Sequence, residues 1–361
     1  MIREFLLPLI RSFTPFNLNM FTDITFRSAF AALTTLLICF IFGGSIIVFL
    51  KKLKIGQSIR EDGPATHLVK TGTPTMGGIL IILSVVSAML LWGDLQSKMI
   101  WITVGAFLAF GTIGFVDDYL KVTKSNSAGL RAWVKLACQM AVALTVVLIL
   151  YFTGDENTTA LYIPFFKNPV IDMGWVWIPF AVLLVVGESN AVNISDGLDG
   201  LLSGLLIIVF LTLAALTYIT GRADFSEYLG IPYIPQAGEL TVFCLAAAGA
   251  CVGFLWFNAH PAEVFMGDVG SLSLGGVIGV ISLIIKKEIL IFIIGGVFIL
   301  EIASVIIQVA SYKLRKKRVF KMAPLHHHYE LIGWPETKTV IRFWILGGLF
   351  AIIALSTLKI Q

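Results

Sequence analysis

Apolar stretches long enough to cross a membrane follow one another along most of the chain. A helix needs about 20 predominantly apolar residues to span the hydrocarbon core of a bilayer. Runs of about that length lie near 26–50, 75–93, 99–116, 132–153, 173–188, 201–220, 240–257, 269–285, 289–311 and 339–358. The pattern predicts an all-α polytopic membrane protein of about ten transmembrane helices. No soluble domain or internal repeat interrupts it, so we expect a single integral-membrane domain over residues 1–361.

The composition supports this interpretation. Hydrophobic residues make up 57% of the chain and charged residues only 13%, whereas a soluble domain carries about 25% charged residues. The four cysteines lie in apolar runs without a metal or redox spacing, so we expect them to be small buried side chains. The net charge is only +4. A lipid bilayer is therefore the expected surrounding, and nucleic acid is not an expected partner.

The distribution of basic residues orients the predicted bundle. If the connection after the first span is cytoplasmic, 17 of the 26 lysines and arginines lie on that side. Cytoplasmic connections of membrane proteins carry an excess of Lys and Arg, and the long basic connection 313–338 agrees with this assignment. We therefore expect both termini to be periplasmic.

Four unusual polar segments fall on one side when the crossings are counted. They are Asp117-Asp118, the segment 193–200, the segment 258–268 and the segment 323–329, which follow the third, fifth, seventh and ninth spans. Each of them then faces the cytoplasm. The count predicts one shared site at the cytoplasmic face.

The acidic residues at this face suggest ion and phosphate chemistry. Adjacent residues on a helix point about 100° apart, so we expect only one of Asp117 and Asp118 to face the cavity and the other to hold a lysine or a backbone group. Asn193, Asp196 and Asp199 are spaced to form one polar stripe. Asp268 heads the eighth span, where a carboxylate suits either a helix N-terminus or a Mg²⁺ ion.

Three further features belong to the same face. His326-His327-His328 is poorly spaced for zinc, so we expect these imidazoles to contact phosphates or transfer protons. Glu301 and Gln308 share a face of the ninth span, with Gln308 nearer its cytoplasmic end. Lysines such as Lys70 and Lys121 would help to neutralise a diphosphate. The residues alone are consistent with two classes of protein, an ion-coupled transporter and an enzyme acting on phosphates.

The motifs resemble those of a known family. Asp117-Asp-Tyr-Leu-Lys, Asn193-Ile-Ser-Asp-Gly-Leu-Asp-Gly, Phe265-Met-Gly-Asp-Val-Gly-Ser and Ala323-Pro-Leu-His-His-His-Tyr are similar to segments of the polyprenyl-phosphate N-acetylhexosamine-1-phosphate transferases. Within that family, the three-histidine block, Arg60-Glu-Asp-Gly-Pro and Lys70-Thr-Gly-Thr-Pro-Thr-Met-Gly-Gly resemble the branch that transfers phospho-N-acetylmuramoyl-pentapeptide. The resemblance covers nearly the whole chain.

The resemblance implies a Mg²⁺-dependent reaction in which UDP-MurNAc-pentapeptide and undecaprenyl phosphate give lipid I and UMP. It also implies a location in the bacterial cytoplasmic (inner) membrane and a role in peptidoglycan synthesis. A homodimer is compatible with the resemblance. Asp268 would bind the metal. The implied catalytic residues are Asp117, Asp118, Asp268, His326 and His327. The implied substrate-binding residues are Lys70, Lys121, Asn193, Asp196, Asp199, Asn258, Phe265, Ser271, Gln308 and His328.

Two alternatives accompany this expectation. A sibling transferase would use UDP-GlcNAc, and the three-histidine block argues against it. An ion-coupled transporter would more often carry its acids near mid-span and show an internal repeat. The acids of this chain cluster instead at one rim of the predicted bundle.

Overall fold

A computed structural model describes residues 18–52, 72–123, 129–164, 166 and 169–359. Within these ranges the chain forms thirteen α-helices and one two-stranded antiparallel sheet. The helices are α1 Ile24–Lys52, α2 Gly78–Trp92, α3 Lys98–Thr123, α4 Ala132–Thr153, α5 Trp177–Ile194, α6 Leu201–Thr220, α7 Ala223–Leu229, α8 Leu240–Asn258, α9 Gly267–Ile284, α10 Leu290–Ile294, α11 Gly296–Arg315, α12 Leu325–Leu331 and α13 Glu336–Ser356. The strands are β1 Ala160–Leu161 and β2 Ile171–Asp172.

Nine helices in the described part of the chain are long and apolar enough to span a membrane. They coincide with nine of the ten predicted spans, which confirms an all-α polytopic membrane protein. The exception is the second predicted span, 75–93, where α2 has only 15 residues. At about 1.5 Å per residue, α2 is roughly 22 Å long, which is shorter than the hydrocarbon core.

The start of α2 is delayed by pairing with a distant segment. The backbone N–H groups of Gly77 and Gly78 donate to the carbonyl oxygens of Phe265 and Met266, and Phe265 N–H donates to Pro74. Residues 74–77 therefore use their backbone groups outside a helix. This pairing explains why the second predicted span was too long.

The ninth predicted span, 289–311, is also not continuous. It is divided at Gly295 into the short α10 and the long α11. The pattern of apolar residues continues across the division, so hydropathy by itself does not reveal it.

The helix that begins with the candidate metal ligand lies at the centre of the bundle. Nearly every side chain of α9 is buried, and the helix packs mainly between α3 and α5. Its many glycines and serines allow such close approach. By contrast, α1 and α4 expose apolar side chains along most of their length, as helices facing lipid do.

Contacts between connections show that the four polar segments lie at one end of the bundle. Asp268 meets Lys121, Asp199 meets His260, and a Cβ at Gly197 would meet His326. At the opposite end, the amino group of Lys286 donates to the carbonyl oxygen of Thr158. The predicted gathering of the polar segments is thus confirmed.

Candidate active site

Three carboxylates from two helices form the centre of the site. Asp117 and Asp118 lie near the end of α3, and Asp268 lies in the first turn of α9. Carboxylate oxygens of the three residues lie within 4.8 Å of one another. All three residues are buried. Like charges held this closely require compensating cations.

Two lysines supply that compensation. The Lys121 ammonium is 2.6 Å from Asp117 Oδ2, 3.2 Å from Asp118 Oδ1 and 2.9 Å from Asp268 Oδ2. Lys135, near the start of α4, donates to Asp268 Oδ2 at 2.5 Å and lies 3.8 Å from Asp117 Oδ2. We call these five residues the acid cluster. Its carboxylates outnumber its ammonium groups, so a further cation or a protein N–H is favoured beside it.

Backbone groups orient the two adjacent aspartates. Asp117 Oδ1 accepts the Leu130 N–H at 2.8 Å, and Asp118 Oδ2 accepts the Val269 N–H at 3.3 Å. Each carboxylate therefore uses one oxygen for the backbone and the other for Lys121. The expectation that only one of the pair would face the site is wrong, because both side chains converge on the same ammonium group.

Gly267 allows the loop before α9 to approach the cluster. Its φ is +71°, a conformation that favours glycine. A Cβ there would also lie 2.5 Å from Asp118 Oδ2 and 2.7 Å from Thr75 Oγ1. Only glycine fits here, and its N–H bonds to the Asp196 carboxylate.

Asp196 extends the cluster from the connection between α5 and α6. Burial, together with the nearby carboxylates of Asp268 and Asp118, raises the pKa of Asp196 to about 7, against the hydrogen bond from Gly267. Next to it, the Asn193 carboxamide oxygen accepts the Ser271 hydroxyl at 2.7 Å. Asn193, Asp196 and Ser271 thus join the predicted site around the head of α9.

This arrangement can hold a hard cation and position phosphate groups. Comparison with known proteins then decides the family. The pattern of glycosyl transferase family 4 matches residues 100–286. The phospho-N-acetylmuramoyl-pentapeptide-transferase of Thermodesulfovibrio yellowstonii is 54% identical over 96% of this chain and 96% of its own length. Proteins of the same name from Koribacter versatilis and Rickettsia felis are 50% and 53% identical over 98% and 95% of this chain, and 97% and 96% of their own lengths.

The chain belongs to the phospho-N-acetylmuramoyl-pentapeptide-transferase family. The expected recognition of a membrane-embedded phospho-sugar transferase is confirmed.

Other predicted residues of this family member lie around the cluster and hold its loops. The Asn258 carboxamide oxygen accepts the Gly200 N–H at 3.2 Å and the Ser203 hydroxyl at 2.8 Å, while its amide nitrogen donates to Val264. Phe265 is partly exposed, and its backbone pairs with Pro74 and Gly77. Lys70 lies outside the described residues.

A second group of titratable side chains joins three connections. Asp199 Oδ2 accepts the Ala262 N–H at 3.1 Å and lies 3.1 Å from His260 Nδ1. Glu336 Oε1 accepts the Asp199 N–H at 2.8 Å, and its other oxygen is 3.6 Å from His260. These three residues could also hold a metal. Because these contacts tie the α5–α6 connection, the α8–α9 connection and the head of α13 to one another, we interpret the group as a clamp between loops.

The three histidines of the family motif have different surroundings. His326 is fully buried and lies 3.3 Å from Glu301. His327 Nδ1 lies 2.8 Å from Glu330 Oε2, and His328 Nδ1 accepts the Lys321 N–H at 3.1 Å. The Gln308 carboxamide binds the backbone of Val319 and Phe320. In this structure, Gln308 and His328 therefore hold the segment that follows α11.

Sequence reasoning missed Lys135 as a site residue. It was counted only among the basic residues that orient the bundle. A signal was present, because Lys135 is the one charged residue within the fourth apolar run, 132–153. Glu336 was missed as well, and its position after Pro335 at the head of α13 gives no comparable signal.

Proposed function

We propose that this chain transfers phospho-N-acetylmuramoyl-pentapeptide from its UDP derivative to undecaprenyl phosphate. An oxygen of the lipid phosphate forms a bond to the phosphorus that carries the sugar. The bond from that phosphorus to the oxygen shared with the uridine phosphate breaks, and UMP leaves with that oxygen. The product is lipid I, so the reaction is the first membrane step of peptidoglycan synthesis. The names of the relatives support this reaction.

The observation that carries the proposal is the acid cluster at the ends of membrane helices. One substrate is water-soluble and the other is held in a bilayer, so their phosphates must meet at such a boundary. Phosphoryl transfer needs positioning and charge neutralisation more than a special nucleophile on the protein. Lys121 and Lys135, held 2.9 Å and 2.5 Å from Asp268 Oδ2, can supply positive charge to the diphosphate.

Mg²⁺ is the cofactor that we propose for the cluster. Asp117, Asp118 and Asp268 offer oxygen ligands, which Mg²⁺ prefers, and their oxygens are close enough to share one ion. When bound there, Mg²⁺ would neutralise charge on the diphosphate and on the departing UMP. Asp268 is the principal ligand in this proposal, because it faces both acids of α3 from the first turn of α9.

The side chains of the site also serve the two phosphate-bearing substrates. Asp117 and Asp118 would orient the lipid phosphate. If the lipid phosphate arrives protonated, either aspartate would accept its proton. We prefer direct attack by the lipid phosphate to an aspartyl-phosphate intermediate, because both aspartates are already bound by Lys121 and a backbone N–H. Asn193, Asp196 and Ser271 would line the sugar-nucleotide side, beside Phe265, Asp199 and Asn258.

The wider setting follows from the same proposal. We expect the whole chain to act as one catalytic domain in the bacterial cytoplasmic membrane, with the acid cluster at the cytoplasmic face. A homodimer stays a prediction. The sibling activity with UDP-GlcNAc is distinguished by supplying either sugar nucleotide to the purified protein. Since the relatives are named as transferases, the transporter alternative is not favoured.

Asp268→Asn tests the proposal. We expect at least a hundredfold fall in UMP release, because the variant loses one negative charge from the cation site while keeping its size. UMP release is measured on purified protein with UDP-MurNAc-pentapeptide, and it should require both undecaprenyl phosphate and Mg²⁺.

Asp155→Asn is the matched control, because Asp155 is exposed in the connection between α4 and β1. It should retain full activity. Near-normal turnover of Asp268→Asn would reject the metal assignment. UMP release from the unmodified protein without any polyprenyl phosphate would reject the proposed acceptor.

A further inference from the structure

After α11 the chain folds back along the same helix. Ser311 Oγ donates to the Lys317 carbonyl oxygen at 2.8 Å, and Gln308 Oε1 accepts the N–H groups of Val319 and Phe320, each at 3.0 Å. Further along, His326 meets Glu301. These contacts run in antiparallel order. We call residues 316–326 the return segment.

The return segment carries His326 deep into the bundle. From Glu301 to Arg315, the last residue of α11, is 14 residues, or about 21 Å along the helix. The ten residues 316–325 can extend over about 33 Å, so the segment reaches Glu301 without stretching. His326 is therefore held inside the bundle and does not lie on its surface.

His326 and Glu301 form an isolated buried pair. Their side chains are 1% and 0% exposed, and Nδ1 lies 3.3 Å from Oε2. Among the described residues, neither side chain makes a hydrogen bond, so the pair is held by proximity and opposite polarity alone. A buried carboxylate is costly unless it is paired, so each of these groups depends on the other.

The opposite edge of the imidazole contacts the loop of the site. A Cβ at Gly197 would overlap His326 Nε2 and the adjoining ring carbons. Gly197 follows Asp196, which bonds to Gly267 at the head of α9. The imidazole is thus wedged between Glu301 on α11 and the backbone that carries Asp196.

We propose that His326 is a positioning residue, which Glu301 holds in place so that its ring supports the Asp196 loop. In this role the Nδ1 edge of the ring faces the Glu301 carboxylate, and the ring exchanges no proton with substrate. His327, which lies on the more exposed side of α12, stays the histidine expected to contact substrate. The inference rests on the proposed transfer, and it replaces the catalytic role that the family resemblance implies for His326.

His326→Asn in the full-length protein is the first test. The Asn side chain can place its amide nitrogen at about the position of Nδ1, facing Glu301, but it cannot act as an acid or base. We expect kcat within about threefold of the unmodified protein and an unchanged pH profile, whereas His326→Ala should lose at least tenfold in kcat/KM. A hundredfold loss of kcat in His326→Asn, with KM unchanged, would show proton transfer by the imidazole and overturn the proposal.

Gly197→Ala is the second test. The added methyl group overlaps the His326 ring, so we expect at least a tenfold loss in kcat/KM. Combining it with His326→Asn shortens the opposing side chain and should recover at least fivefold of that loss. Gly187→Ala is the matched control, because a Cβ at Gly187 meets nothing within 4 Å.

The outcomes separate this inference from the proposed function. An inactive unmodified protein would reject the transfer itself. An active unmodified protein with no recovery in the Gly197→Ala, His326→Asn double variant would reject only the positioning role. If Gly197→Ala does not accumulate in the membrane, the kcat of His326→Asn decides the question.

Discussion

At the scale of single residues, the strongest consequence of the structure concerns the two lysines of the acid cluster. Lys121 and Lys135 both contact the same oxygen of Asp268, at 2.9 Å and 2.5 Å. An incoming divalent cation would meet two positive charges beside its principal ligand. At an effective dielectric constant near 20, unit charges 4 Å apart interact by about 4 kcal/mol. We therefore expect the lysines to weaken metal binding and to favour phosphate binding.

Lys121→Met should separate these two effects. We expect about tenfold tighter binding of Mn²⁺ to the substrate-free protein, equivalent to about 1.4 kcal/mol, because one repelling charge is removed. Turnover should fall, because the diphosphate loses a cation. Electron paramagnetic resonance of free Mn²⁺ measures the first quantity and UMP release the second.

The control for this prediction is Lys313→Met, an exposed lysine in the last turn of α11. It should change neither Mn²⁺ binding nor turnover. Unchanged Mn²⁺ affinity in Lys121→Met would mean that the ammonium group does not compete with the metal.

At the scale of elements, the connection from α9 to α10 buries charge at the end of the bundle opposite the site. Lys286 lies 3.3 Å from Glu288 Oε1 and 4.8 Å from the centre of the Trp177 ring. Its neighbour Lys287 lines a small cavity with Tyr162 and Thr357. Burial lowers the pKa of Lys287 to about 8, against the attraction of Glu288. Unlike that of Lys286, the side-chain amino group of Lys287 makes no hydrogen bond within the described structure, although its backbone N–H donates to Ser282.

Lys287→Met should therefore stabilise the protein at neutral pH. A lysine with a folded pKa of about 8 and an ordinary pKa of 10.5 lowers the free energy of unfolding by up to about 3 kcal/mol below pH 8. Between pH 8 and 10.5 the unfolded chain binds more protons than the folded one, so the unmodified protein gains stability as pH rises. The advantage of the variant should shrink over that window.

Thermal unfolding in detergent at pH 7.5, 8.5 and 9.5 measures this effect. Lys98→Met, an exposed lysine at the head of α3, should show no such pH dependence. A Lys287→Met protein that melts below the unmodified one at pH 7.5 would mean that the buried ammonium has a favourable partner.

At the scale of the whole molecule, the arrangement assigns the two ends of the bundle different tasks. One end holds the acid cluster, the clamp formed by Asp199, His260 and Glu336, and the return segment. The other end carries the β1–β2 hairpin, α7 and the connection after α9. The bias of lysines and arginines predicts that the first end faces the cytoplasm.

Cysteine labelling in intact cells tests that orientation. Lys338 is exposed at the head of α13, near the site, and Glu227 is exposed on α7, at the opposite end. The two variants Lys338→Cys and Glu227→Cys each place one thiol at these positions. A thiol reagent that does not cross membranes should label only Glu227→Cys, and Lys338→Cys should react after lysis. The unmodified protein gives the background from the native cysteines. Labelling of Lys338→Cys in intact cells would invert the predicted topology.

Much of the architecture could be predicted because hydropathy is a local property of the chain. An apolar run must bury or contact lipid wherever it lies, so nine of the ten predicted spans correspond to long helices. Counting crossings then placed the Asp117, Asp196, Asp268 and His326 segments at one end. The motif resemblance added the family, which the comparison with relatives confirmed.

Tertiary structure decided what depends on contacts between distant residues. Lys121 and Lys135 reach Asp268 across 147 and 133 residues, and no local pattern encodes such a meeting. Pairing of residues 74–78 with 265–266 set the start of α2 at Gly78, three residues later than predicted. The amino-acid sequence by itself determined which segments enter the membrane and which chemistry they carry. Only packing determined that Asp117 and Asp118 share one ammonium and that His326 lies against Glu301.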